Sequence, residues 1–166
     1  MKIKLLIIPF LLFVMSFSAF AQDSYTLYLV RHAEKQNNQK DPKLTACGRL
    51  RAQQLATLLS KAKIRAIYST PYQRTRQTAK PLSQQENLAI KHYSPANLPQ
   101  FSLHLTQLKE NALIVGHSNT TPELAQLLSE QQVNKLNEKE YQALFQIQFI
   151  GDNKILTELK QPLLCL

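Results

Sequence analysis

Two histidines and two arginines in this chain stand where apolar runs end. Leu29-Val30-Arg31-His32-Ala33-Glu34 closes one short run and Leu113-Ile114-Val115-Gly116-His117-Ser118-Asn119 closes another far downstream. Between them lies Tyr68-Ser69-Thr70-Pro71-Tyr72-Gln73-Arg74-Thr75-Arg76-Gln77-Thr78-Ala79. A phosphate monoester carries about two negative charges near neutral pH, so a nucleophile can approach only once that charge is offset. Arginine suits this task, because its planar guanidinium stays charged and donates two parallel hydrogen bonds. Arg31 and Arg74 are the candidate clamp. An imidazole with an ordinary pKa of ~6.5 is mostly neutral at pH 7, and can attack phosphorus without a strong base.

The elements that must position these groups are read from the apolar pattern. Thr26 to Val30 is a short buried strand, and Gln36 to Lys43, with Asp41-Pro42, is a loop. From Leu44 to Leu59 the apolar residues recur at helical spacing through Leu50, Leu55, Leu58 and Leu59. Gly48 costs that helix up to ~1 kcal/mol unless it serves a close approach. Ile64 to Tyr68 is a second strand, Pro71 to Leu82 a helix, and Leu88 to Tyr93 a weaker strand. Ser94 to Gln100 reads as a loop, Phe101 to Leu108 as a short helix, and Ala112 to Val115 as a strong fourth strand. Thr121 is the expected N-cap of the next helix, with Pro122 in its first turn. The tail switches to two strand-like runs, Ala143 to Ile150 and Lys154 to Leu159, around Gly151-Asp152-Asn153, which is a hairpin pattern. Strand-helix units followed by a hairpin imply an α/β, three-layer sandwich: a mostly parallel central sheet flanked by helices, with a C-terminal antiparallel hairpin. In open sheets of this kind ligands bind beyond the carboxyl ends of the strands, where Arg31, His32, Ser69 and His117 fall.

Taken together, the three motifs in this order resemble the histidine phosphatase (phosphoglycerate-mutase-like) superfamily. The resemblance runs from Tyr25 to about Leu128 and includes Leu44-Thr45 with Gly48, and Gln77-Thr78-Ala79. It implies that His32 is the nucleophile, that Arg31 and Arg74 bind phosphate, and that His117 hydrogen-bonds the phosphoryl oxygens during transfer. Ser118 and Asn119 are candidate phosphate donors, with capping of the next helix as the alternative reading. Arg76, two positions from Arg74, does not share its helix face, and His92 and His104 read as surface residues. Many members of the superfamily carry a carboxylic acid beyond the second arginine. Here that stretch offers only Glu86 and Glu110, Glu123 lies near a helix N-terminus, and Glu34 belongs to the first motif, so the acid stays unassigned.

The ends and composition set the remaining bounds. Lys2 and Lys4, the apolar Leu5 to Phe20 and the small-residue site Ala19-Phe20-Ala21 form a signal-peptide pattern over residues 1–21. Its cleavage leaves 22–166 as a single histidine phosphatase-like domain, periplasmic or secreted, with no stable membrane insertion. Loss of the two lysines lowers the formal charge from +9 to +7. That balance favours anionic partners, but the positive charges are scattered and an exported chain meets little nucleic acid. A small phosphorylated substrate is therefore expected, and no nucleic acid. Scattered acids and the absence of a His-x-x-x-His or paired Asp motif imply neither metal nor cofactor. Cys47 and Cys165 are an even pair whose bridging the sequence leaves open.

The expected activity is a metal-independent phosphomonoesterase working through a phosphohistidine. Short loops leave little room for a cap, which favours a phosphatase over a mutase. By similarity to small exported members, envelope sugar phosphates are one candidate substrate class. The alternatives are a phosphohistidine phosphatase and a non-catalytic phosphate-binding module.

Overall fold

The computed structural model describes residues 24–37 and 40–162, so the expected signal segment and Cys165 lie outside the described residues. The chain runs β1 (Ser24–Arg31), α1 (Ala46–Leu59), β2 (Ala66–Ser69), α2 (Gln73–Glu86), β3 (Ile90–His92), α3 (Leu98–Leu108), β4 (Ala112–Gly116), α4 (Thr120–Ser129), β5 (Ala143–Ile150) and β6 (Asn153–Lys160). Among the described residues these strands form one sheet in the order β3-β2-β4-β1-β5-β6. The first four in that order are parallel, and β5 and β6 are antiparallel additions. This is the α/β architecture expected from the sequence, with the C-terminal hairpin in place. Gly151 supplies the left-handed residue of its turn, at φ 56°.

All five residues of β4 are buried, as befits a parallel strand covered on both faces. On one face Leu55, Leu59 and Leu82 of α1 and α2 pack with Val30, Leu113 and Val115. On the other, Leu105, Leu124 and Leu128 of α3 and α4 pack with Leu29, Ile114 and Phe145. Full burial of each such leucine is worth about 1.5–3 kcal/mol.

Three local expectations are corrected. The inner face of α1 is Gly48, Arg51, Ala52, Leu55, Ala56 and Leu59, while Leu50 and Leu58 point to solvent at 55% and 52% exposure. An arginine displaces a leucine from the buried face because Glu34 waits there to pair with it. Helix α3 begins at Leu98, with Pro99 in its first turn: a proline there forfeits an N–H that has no helical partner in any case. Asn119, and not Thr121, stands at the N-cap of α4. The Thr121 hydroxyl instead donates to the Val30 carbonyl across the sheet. Cys47, in the first turn of α1, is disulfide-bonded.

Gly48 has a specific reason. Thr45 caps α1 by accepting from Gly48 N at 3.0 Å, and this seats the helix start against the chain leaving β1. A Cβ at Gly48 would lie 2.2 Å from the Glu34 carbonyl oxygen, so only glycine fits.

Candidate active site

The site is built by strand register. Arg31 is opposite Gly116 in the β1–β4 pair, and His32 N donates to Gly116 O at 2.9 Å. The next residue of each strand, His32 and His117, therefore emerges on the same edge. Their ring centroids are 5.7 Å apart and nearly perpendicular, close enough for both to touch one tetrahedral anion. Strand β2 flanks β4 with Ser69 opposite Val115, which brings Thr70 beside His117. A side chain at Gly116 would clash with the Thr121 and Tyr93 hydroxyls, each 2.8 Å from a built Cβ.

Helix α2 fixes the rest. Arg74, in its first turn, reaches His117 Nδ1 with Nη2 at 3.5 Å. Thr78, one turn on, accepts from Ala33 N at 2.9 Å, and Gln77 Oε1 accepts from Leu44 N at 2.8 Å. The Gln77-Thr78-Ala79 motif is thus a brace: its two polar residues hold the backbone after β1 while Ala79 enters the core. Glu34 accepts from Arg51 Nη2 at 2.6 Å and from its Nε at 3.0 Å. This pair secures the same segment from α1, and it engages Glu34 away from proton transfer.

His32 is 3% exposed. Its Nδ1 lies 2.8 Å from the Ala33 carbonyl; a carbonyl only accepts, so Nδ1 carries the proton and Nε2 keeps its lone pair. Burial, reinforced by Arg31, Arg74 and His117, pushes the His32 pKa down to about 3 against the pull of the Ala33 hydrogen bond. Burial and the same two arginines push His117 down to about 4. Both rings are neutral at pH 7, and the His32 Nε2 lone pair carries no proton.

The two arginines are arranged alike. Each guanidinium lies over a tyrosine ring: Arg31 at 4.2 Å from the Tyr141 centroid and Arg74 at 4.5 Å from Tyr72. Each also meets a carboxylate. Arg74 Nη1 is 3.7 Å from Asp41 and Arg31 Nη2 is 2.9 Å from Glu138. In both, Nε is buried without an acceptor among the described residues, so each keeps a donor that an oxyanion would satisfy.

Of the sequence candidates, Arg31, His32, Arg74 and His117 converge. Ser118 lies beside them, but its hydroxyl donates to Glu138 Oε1 at 2.7 Å. Asn119 is exposed at the start of α4, and it lines with Ser118 a groove of about 450 Å³ bounded further by Pro122, Glu123, Gln126, Val133, Lys135, Leu136 and Glu138. Arg76, His92 and His104 are exposed. Glu86 and Glu110 precede β3 and β4 and so belong to the edge of the sheet opposite the site. Sequence reading missed Glu138, Tyr141, Tyr72, Asp41 and Thr70. Thr70 could have been found, as the residue just past a strand end. Glu138 could not: it lies in the irregular stretch 130–142, which has no periodicity to read.

Comparison with known proteins bears on the sequence family and the fold. Residues 27–95 match the family model described as the histidine phosphatase superfamily (branch 1). The fold is similar to that of the protein histidine phosphatase SixA complexed with tungstate, with a TM-score of 0.70, 16% identity, and coverage of 81% of this chain and 96% of that one. It is also similar to an α-ribazole phosphatase from Shigella flexneri, with a TM-score of 0.68, 17% identity and coverage of 82% and 96%. A mycobacterial glucosyl-3-phosphoglycerate phosphatase gives 0.63, 14%, and coverage of 80% and 97%. No curated protein matches the chain in sequence. The family match spans residues 27–95, which hold Arg31, His32 and Arg74, while His117 lies beyond it.

Proposed function

We propose that this protein is an exported phosphatase that hydrolyses phosphomonoesters through a phosphohistidine on His32. The observation that carries this reading is the convergence of two neutral imidazoles, 5.7 Å apart, with two arginines whose Nε donors are buried and unpartnered. The phosphoryl group sits among Arg31, Arg74 and His117. His32 Nε2 forms a bond to phosphorus, the bond to the leaving oxygen breaks, and that oxygen takes a proton. Water then attacks phosphorus and frees His32, returning inorganic phosphate. Throughout, the Ala33 carbonyl holds Nδ1–H, so the ring's positive charge in the intermediate is met by a fixed dipole.

The buried His32 forms the floor, so an in-line leaving group departs toward the open side, where the groove along Ser118, Asn119, Gln126 and Lys135 begins. Amide, hydroxyl and charged rims over an apolar floor of Pro122, Val133 and Leu136 suit a hydroxylated leaving group such as a sugar, in keeping with an envelope sugar phosphate. Export rests on the signal pattern of residues 1–21. A second reading, a phosphohistidine phosphatase, is favoured by one feature: the carboxylates that meet the clamp, Asp41 and Glu138, are both paired with arginine. Neither is a ready proton donor, and a leaving imidazole needs less protonation than an alkoxide.

The test is turnover of p-nitrophenyl phosphate, sugar phosphates and a phosphohistidine peptide by the purified protein, with and without EDTA. Phosphate release lost in His32→Ala, with a trapped acid-labile phosphoryl group in the wild type, is the expected result. Phosphate binding without turnover on any substrate would mean a binding module instead.

A further inference from the structure

The Thr70 hydroxyl oxygen lies 3.0 Å from His117 Nε2 and 3.0 Å from Thr75 Oγ1. Thr75 Oγ1 is in turn 2.9 Å from the Thr70 carbonyl and 3.0 Å from the Tyr72 carbonyl. Carbonyls only accept, and each hydroxyl has one proton. Thr75 therefore spends its proton on those carbonyls and can only accept from Thr70. Thr70 spends its own on Thr75 and can only accept from His117. Across the ring, Arg74 Nη2 faces Nδ1 at 3.5 Å, and a guanidinium only donates. The two sides of the ring require the same tautomer. Thr70 and Thr75 are fully buried, so water does not compete for these bonds.

We infer that Thr70 is a positioning residue that holds His117 as its neutral Nε2–H form, with the Nδ1 lone pair turned toward the arginine clamp. The tautomer follows from the hydrogen bonds alone; its consequence rests on the phosphatase reading. In this form His117 cannot donate to a phosphoryl oxygen, because a lone pair would face an anion. It must first gain a proton at Nδ1. A phosphate monoanion carries one, since its second pKa is about 6. The P–OH proton moves to Nδ1, leaving a dianionic phosphoryl group and an imidazolium that donates Nδ1–H to it and Nε2–H to Thr70. Atoms and charge balance within the pair. Arg74 and Arg31 oppose this charge, the neutral His32 and Tyr72 meet the ring edge-on at 5.7 and 5.2 Å between centroids, and Glu138 stands beyond Ser118. Protonation of His117 is therefore tied to an anion in the clamp.

Two-bond nitrogen–proton correlation spectra of imidazole-labelled protein at pH 7.5 test this, with His117→Gln to assign the signals. The empty wild type should show His117 as Nε2–H and His32 as Nδ1–H, and inorganic phosphate should add a second proton to His117 alone. An Nδ1–H signal for His117 in the empty protein would overturn the inference. Thr70→Val should give a mixed tautomer and lower phosphate affinity about tenfold or more, the scale of a hydrogen bond to a charged group, while Thr70→Ser restores both. A valine variant with the wild-type tautomer and affinity would reduce Thr70 to packing. Failure of phosphate to bind the wild type would sink the phosphatase reading and leave the tautomer standing.

Discussion

Arg31 and Glu138 are joined across the mouth of the site: Nη2 donates to Oε2 at 2.9 Å, and Nη1 donates to the carbonyls of Asn137 at 2.9 Å and Glu140 at 3.2 Å. Arg31 is 2% exposed, whereas the Glu138 side chain is 79% exposed. The carboxylate is an internal anion on the proposed phosphate clamp, and Ser118 and Arg31 hold its pKa below the usual range. A substrate phosphoryl group that takes Nη2 must displace it.

Glu138→Gln should therefore tighten phosphate binding. An exposed ion pair is worth about 0.2–1 kcal/mol, so the inhibition constant of inorganic phosphate should fall by roughly 1.5- to 5-fold. A weaker phosphate affinity in the variant would show that Glu138 helps to hold the substrate.

Arg74 and Arg76 give a contrast within one helix. Arg74 faces His117, while Arg76 is exposed. Loss of a charged hydrogen bond costs about 1.5–3 kcal/mol, so Arg74→Ala should lower kcat/KM by about ten- to a hundredfold. Arg76→Ala should stay within about twofold, since surface changes away from special features fall within ±0.5 kcal/mol. Equal losses in steady-state assays would contradict this assignment.

Stability should depend on pH through the two histidines. His32 and His117 have folded pKa values pushed down to about 3 and about 4, below the ordinary 6.5. Between these limits the unfolded chain binds more protons than the folded one, so stability falls as pH drops from about 7 toward 4. Thermal melts of the empty protein should show a declining Tm over that range. The decline should shrink in His117→Gln, which cannot titrate at that position; an unchanged slope would mean the rings are not held neutral.

Gly48→Ala probes the seat of the motif rather than its chemistry. The added Cβ would meet backbone, the Glu34 carbonyl oxygen at 2.2 Å, which cannot swing aside as a side chain can. Overpacking of this kind costs about 1–3 kcal/mol. Denaturant unfolding should show that loss, with reduced turnover as the Ala33–Glu34 segment shifts. A variant as stable as the wild type would mean that α1 moves away at little cost.

Much of this protein is written locally. A buried parallel strand must be apolar throughout, and it must end where polar residues begin, so Val30-Arg31-His32 and Val115-Gly116-His117 mark both strand and site in one stretch of chain. The hairpin was equally legible, because alternation and a Gly-Asp-Asn turn are short-range signals. Helix faces were less so. The α1 pattern admitted Leu50 and Leu58 as core, and only the packed structure shows Arg51 turned inward to reach Glu34, seventeen positions earlier. The partners of the clamp were not legible at all. Arg31 and Glu138 are 107 positions apart and Thr70 and His117 are 47 apart, and no periodicity links an irregular segment to a strand end. Composition and spacing determined which side chains could bind and transfer a phosphoryl group. Sheet register and the course of 130–142 decided what those side chains touch, because charge pairing and tautomer depend on neighbours that the linear chain keeps far apart.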